Sequence, residues 1–234
     1  MKTAFWHRLR QARPLVLSAA GMVTLASCSA PSPQQPITSP ATKPFVADAS
    51  VPISLFDGKT LAGWTLTDFA GHADPGVANG CIILPAGETL TGLNYTGKIP
   101  RTNYEVELDA QRVDGIDFFV GLTFPVGDSC ASLILGGWGG GVCGVSCIDD
   151  DDAARNETTT YRKFDKGVWY HVRLRVEPDQ IIAWVNDQTI VAVKIAGRKI
   201  SVRSEVVPSQ PFGLASYQTT AAIRNIQIHS LLAE

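Results

Sequence analysis

The residues with the most chemical potential lie in the middle of the chain. Gly136-Gly137-Trp138-Gly139-Gly140-Gly141 sets one large aromatic among glycines. Glycine takes positive φ and lets backbone approach a ligand closely. An indole face can stack on the apolar C–H face of a sugar ring. The same run also reads as a β-bulge with Trp138 as a core plug. Further on, Asp149-Asp150-Asp151-Asp152 is a compact acidic run, followed by Arg155, Asn156 and Glu157. A hard divalent cation such as Ca²⁺ takes several oxygen ligands, and Asp149 and Asp150 are candidate donors. Without EF-hand spacing, a solvated turn is the simpler reading of the run. Asp117 opens a mostly apolar stretch, and alternation places it on one face with Phe119, Gly121 and Thr123. A carboxylate beside aromatics is raised in pKa, which suits a general base. The plainer reading is a residue at the start of a strand, still in water, as the preceding Asp114-Gly115 implies. Glu105, Glu107 and Asp109 share a strand face, with neighbours roughly 7 Å apart. That separation suits inverting glycoside hydrolysis, although solvent-facing alternation also accounts for it. The four histidines are scattered, and neither a nucleophile elbow nor a phosphate loop is present.

The elements that must position these residues read as strands. Tyr104 to Ala110 alternates apolar residues with carboxylates, and Tyr170 to Val176 alternates them with basic residues. Period-two patterns of this length mark half-buried strands. Ile116 to Phe124 and Ile181 to Val185 are apolar on both faces, as expected of central strands. Turn signals separate them at Asp57-Gly58, Asn79-Gly80, Pro178-Asp179, Asn186-Asp187 and Pro211 to Gly213. The spacing predicts a three-stranded unit over Trp169 to Val193, with a Pro-Asp and an Asn-Asp turn. Two closing strands are expected over Phe212 to Leu231, with a bulge where the apolar register slips at Arg224-Asn225. Many short strands with no helices between them imply an all-β sandwich or barrel of antiparallel sheets.

The ends of the chain carry a different message. Lys2, Arg8, Arg10 and Arg13 precede an apolar stretch from Leu15 to Ala26. This is shorter than the roughly 20 apolar residues of a membrane span, and the pattern is that of a signal peptide over residues 1–27. Leu25-Ala26-Ser27-Cys28 resembles the bacterial lipobox, which implies a lipidated Cys28 and a protein anchored in the cell envelope, at the outer membrane or cell surface. Residues 28–50 are rich in Pro, Ser, Thr, Ala and Gln and read as a disordered tether. Residues 51–234 suffice for one core. Losing the four leader cations takes the net charge from −2 to −6. With no basic stripe, nucleic acid is excluded as a partner, and contact with the membrane is expected through the lipid alone.

Cys81, Cys130, Cys143 and Cys147 remain in this domain. An exported protein meets an oxidising compartment, and three of the four crowd the Gly-rich loop. At least one disulfide among Cys130, Cys143 and Cys147 is therefore expected, since that loop has little other visible support. Zinc is disfavoured, because no second close pair or nearby histidine completes a site.

Leu55-Phe56-Asp57-Gly58-Lys59-Thr60-Leu61-Ala62-Gly63-Trp64 resembles the opening motif of the 3-keto-disaccharide hydrolase domain family. Asn103 to Leu108, Gly167 to Tyr170, Ala183 to Asn186, Pro211 to Leu214 and Ile223 to Ile226 match further family segments in order. The resemblance covers residues 53–232 and implies a concanavalin A-like or laminin G-like jelly roll of two curved sheets, one of them concave. It also implies action on glycosides oxidised at C3, where the ketone acidifies the C2 proton. A base removes that proton, the group at C1 leaves, and water adds. On this reading Asp117 and Glu157 are the catalytic candidates, Asp117 as base. Trp138 and Arg155 contact substrate, and a divalent metal is a candidate cofactor. Ala131 to Gly136 departs from a polar strand of relatives that reads like Glu-x-Gln-Ile-x-Asp. The alternative, from a different class, is a non-catalytic glycan-binding module. A carboxylate–histidine or metal cluster on the concave face favours the enzyme, whereas an open aromatic groove favours binding.

Overall fold

The computed structural model describes residues 51–231. The expected signal peptide, lipidated Cys28 and tether fall in residues 1–50, outside the described residues. The chain runs through Ile53–Ser54 (β1), Trp64–Leu66 (β2), Gly76–Ala78 (β3), Cys81–Leu84 (β4) and Leu90–Tyr95 (β5). Tyr104–Gly115 (β6), Val120–Val126 (β7), Ser129–Gly137 (β8), Val142–Ser146 (β9) and Thr160–Tyr161 (β10) follow. Trp169–Val176 (β11), Gln180–Val185 (β12), Gln188–Lys194 (β13), Gly213–Tyr217 (β14) and Thr219–Ser230 (β15) complete the strands. A short 3-10 helix, Ser204–Ser209, lies between β13 and β14.

Two antiparallel sheets form a jelly-roll sandwich. One has the order β13-β12-β11-β6-β15-β4-β3, with β1 added to β15; the other has the order β10-β9-β8-β7-β14-β5-β2. Alternation drives the packing. Tyr104, Val106, Leu108 and Ala110 of β6 and Tyr170, Val172, Leu174 and Val176 of β11 point into the core. Val120, Leu122 and Phe124 of β7 meet them from the other sheet. The expected turns form: Asn79-Gly80 and Asn186-Asp187 all take positive φ, as tight hairpins require. The bulge at Arg224-Asn225 is present, with Asn225 at φ 52° and the β15–β6 register shifting there.

Two strand expectations are corrected. Ile181–Val185 is not buried on both faces: β12 lies next to an edge, and Trp184 is half-buried under the guanidinium groups of Arg173 and Arg175, 4.6 and 5.6 Å from its ring. The strand expected from Ile116 starts at Val120. Residues before it bend, so the alternation does not extend back through them. Phe119 enters the core, 5.0 Å from the Phe164 ring, and Phe118 turns to the opposite side.

Candidate functional site

The outer face of the seven-stranded sheet carries a groove of about 660 Å³. Alternation makes its floor. Leu133, Leu135 and Val145 are spent on the core, so Ser132, Ile134 and Ser146 face outward. Small residues on this face let other segments lie close against it. A Cβ on Gly92 would lie 2.8 Å from the Phe69 ring, and one on Gly144 would lie 2.9 Å from the Ala153 carbonyl. Phe69, Leu90, Val206 and Ala215 form a small second apolar cluster there, joined by Phe118 and Tyr217. The Phe118 and Tyr217 rings stack at 6.0 Å with 28° between planes. Asp68, Asp117, Arg203 and Glu205 supply the charged lining.

Trp138 stands at the mouth of this groove, on the turn between β8 and β9. Its side chain is 46% exposed, so it is not a core plug. Its φ is 49°, a conformation that bulky residues rarely take. The turn is braced from two sides. An Asp117 oxygen accepts the Gly139 N–H at 2.9 Å, while the other accepts the Phe118 N–H at 2.8 Å. From beneath, the buried Arg112 guanidinium donates to the carbonyls of Gly136, Gly140 and Phe164 at 3.1, 3.1 and 3.2 Å. Across the groove, the Arg203 guanidinium lies 6.0 Å from the Trp138 ring. Arg203 is itself held by Asp152 at 2.5 Å and Glu205 at 2.6 Å.

A sequence profile of the 3-keto-alpha-glucoside-1,2-lyase-like domain matches residues 51–229. The chain belongs to this family. Among solved structures, a candidate glycosyl hydrolase of Parabacteroides distasonis superposes with a TM-score of 0.50 at 13% identity, over 77% of this chain and 94% of that one. A sialidase superposes with a TM-score of 0.52 at 11% identity, over 79% of this chain and 19% of its own. At these identities the likeness is one of fold. No curated protein matches the sequence.

Within this family member, Asp117 and Trp138 come together at the groove, and the other sequence candidates do not. The acidic run faces cations. Asp149 pairs with Arg198 at 2.6 Å and accepts the Lys199 N–H, and Asp150 pairs with Lys199 at 2.7 Å. Glu157 shares Arg198 at 2.5 Å, and Arg155 is exposed nearby. The Lys199 N–H and the Arg198 guanidinium hold the Asp149 carboxyl below the usual carboxylate range, and Arg198 does the same for Glu157. Oxygens already facing an arginine and a lysine do not suit a Ca²⁺ cage. Among the described residues no three His, Cys, Asp or Glu side chains converge as a metal site.

The carboxylate ladder lies on the outer face of the other sheet, where β11 neutralises it. Register places Glu105 opposite Arg175 and Asp109 opposite His171. Glu105 pairs with Arg175 at 2.7 Å and Arg173 at 3.4 Å, and Asp109 bonds His171 at 3.0 Å and Asn225 at 2.7 Å. Partial burial opposes the charge at Asp109. Its hydrogen bonds and the nearby cations outweigh this and hold its carboxyl low.

The expected disulfide is absent: Cys81, Cys130, Cys143 and Cys147 are free and buried. Cys143 and Cys147 are four residues apart along an extended run, roughly 13 Å, well beyond disulfide reach. Cys143 faces the core, and burial pushes its thiol pKa up. The loop that seemed to need a cross-link is held instead by Arg112 and Asp117. Sequence reading missed Arg112, Phe118, Arg203, Glu205 and Tyr217. An arginine within the hydrophobic half of an alternating strand, as Arg112 is, was the one visible signal.

Proposed function

We propose that the domain binds carbohydrate in the groove beside Trp138, as a module held at the cell envelope through a lipid on Cys28. The observation that carries this reading is the half-exposed indole, braced in a positive-φ turn, beside a groove with both apolar and polar lining. A sugar ring lays its C–H face on Trp138 or on the Phe118–Tyr217 pair. Its hydroxyls donate to Asp68 and Glu205 and exchange hydrogen bonds with Ser132 and Ser146. The carboxylates outnumber the single guanidinium of Arg203, which is already doubly paired, so the groove suits uncharged sugars. Titrating the protein with neutral oligosaccharides while following tryptophan fluorescence tests this. Saturable change that disappears in Trp138→Ala supports it, and no change with any neutral glycan refutes it.

Family membership favours a second reading, cleavage of 3-keto-glycosides. A carboxylate takes the C2 proton, the C2–H electrons form the C1–C2 double bond, and the C1–O pair departs with the leaving alcohol. Water then adds to complete a net hydrolysis. Both Asp117 oxygens already accept backbone N–H groups and Glu205 is paired with Arg203, which leaves Asp68 as the candidate base. Incubation with 3-keto and unoxidised glucosides, with and without divalent metals, decides it. Release of the alcohol from the 3-keto substrate alone makes the domain an enzyme, and no release leaves it a binding module.

A further inference from the structure

A second cleft, of about 610 Å³, lies on the other side of the same turn, between Gly139–Gly141 and Tyr161–Lys166. We propose that this cleft binds an anionic sugar unit through its carboxylate or sulfate group, independently of the Trp138 groove.

Two arginines carry the proposal. Arg112 is 5% exposed, and its guanidinium donates hydrogen bonds to carbonyl oxygens alone. Its Nε is buried with no hydrogen-bond partner. Arg162 donates to the Val185 carbonyl at 3.2 Å and the Gln188 amide oxygen at 3.0 Å. The two guanidinium groups lie on the Phe164 ring, at 6.0 and 5.8 Å. Neither pairs with a carboxylate among the described residues. By contrast Arg173, Arg175, Arg198, Arg203 and Arg224 each face one. Asp117 acts on Arg112 only from beyond ion-pair distance, its oxygens bonded to the Phe118 and Gly139 N–H groups, and both arginines line the cleft.

The rim adds charge and a stacking surface. Lys163 and Lys166 pair with Asp165 and Asp114, each at 2.7 Å, through exposed side chains. Such pairs contribute roughly 0–1 kcal/mol and re-form readily around an incoming anion. Tyr161 is 78% exposed and offers a ring face at the same rim. The chain as a whole is net negative, so this concentration of cations is local. Guanidinium groups match planar carboxylate and sulfate oxygens, and an exposed aromatic beside them matches a sugar ring.

The test is calorimetric titration of the full-length protein with glucuronate, a sulfated glucose, glucose and inorganic sulfate. Both acidic sugars should bind, more weakly as salt rises, and glucose and sulfate alone should not. Arg162→Gln should weaken acidic-sugar binding about tenfold, the effect of one lost charge-assisted contact. Should Arg162→Gln misfold, the Lys163→Gln/Lys166→Gln double variant, altered only at exposed side chains, should still weaken binding severalfold. Trp138→Ala should leave it unchanged. Failure of both acidic sugars to bind, binding indifferent to the cleft variants, or loss in Trp138→Ala overturns the proposal. Inorganic sulfate binding as tightly as the sugars overturns the sugar assignment.

Discussion

Replacing Trp138 with alanine separates a surface platform from a structural plug. The indole is 46% exposed. An aromatic side chain of about 250 Å² then leaves roughly 115 Å² bare to meet a ligand. A sugar covering about 80 Å² of it gains about 2 kcal/mol at 25 cal/mol/Å², or about 30-fold in affinity. The alanine variant should lose that factor. A fully buried tryptophan costs about 3–5 kcal/mol when truncated, so a half-buried one should cost about 2 kcal/mol, a fall in melting temperature of about 4–8 °C. Trp64 supplies the internal standard. It is 6% exposed, its indole donates to the Leu55 carbonyl at 2.8 Å, and it does not line the groove. Trp64→Ala should therefore cost more stability and leave the affinity of the folded fraction unchanged. Calorimetric titration and thermal melts of both variants give the two numbers. If Trp138→Ala is as destabilising as Trp64→Ala and its folded fraction binds sugar normally, the reasoning is wrong.

Removing the Asp117 carboxylate with Asp117→Ala frees the Gly139 N–H, so proteolysis within residues 136–141 should accelerate; an unchanged cleavage rate contradicts the bracing role. Thiol titration of unfolded, unreduced protein should find Cys81, Cys130, Cys143 and Cys147 all reactive, and a deficit of two would restore a disulfide. Acid should destabilise the fold. Asp109 has a folded pKa below its unfolded value near 4, so its contribution is complete above that value and is lost as pH falls through the lower, folded pKa. Urea melts between pH 6 and pH 3 should show a shallower loss in Asp109→Asn, and identical slopes would count against it. Cys28→Ala should abolish lipid labelling, and persistent labelling would exclude the anchor.

The fold was legible because burial here follows simple alternation. Tyr104–Ala110 and Tyr170–Val176 each gather their polar residues on the face away from the core, so those residues reveal the strands' orientation. The Asn-Gly and Asn-Asp turns were legible for the same local reason, since those residues tolerate positive φ. The site was less so. β7 and β8 are buried on both faces, so alternation carries no polarity signal, and the bend before Val120 exchanges Phe118 for Phe119. The carboxylate ladder and the acidic run looked available because their partners lie far along the chain. Arg175 is 70 residues from Glu105, and Arg198 is 49 from Asp149. Arg112 holding the glycine turn is likewise a long-range contact, and it replaces the cross-link that local crowding of cysteines implied.

The central claim is that carbohydrate occupies the groove beside Trp138. The most direct measurement is the indole N–H resonance of Trp138 in ¹⁵N-labelled protein, assigned by its disappearance in Trp138→Phe, during titration with neutral oligosaccharides. A groove that binds sugar predicts a saturable shift of this resonance, with the buried Trp64 signal unmoved. Saturable binding that leaves the Trp138 resonance in place, or no binding of any neutral glycan, would contradict it.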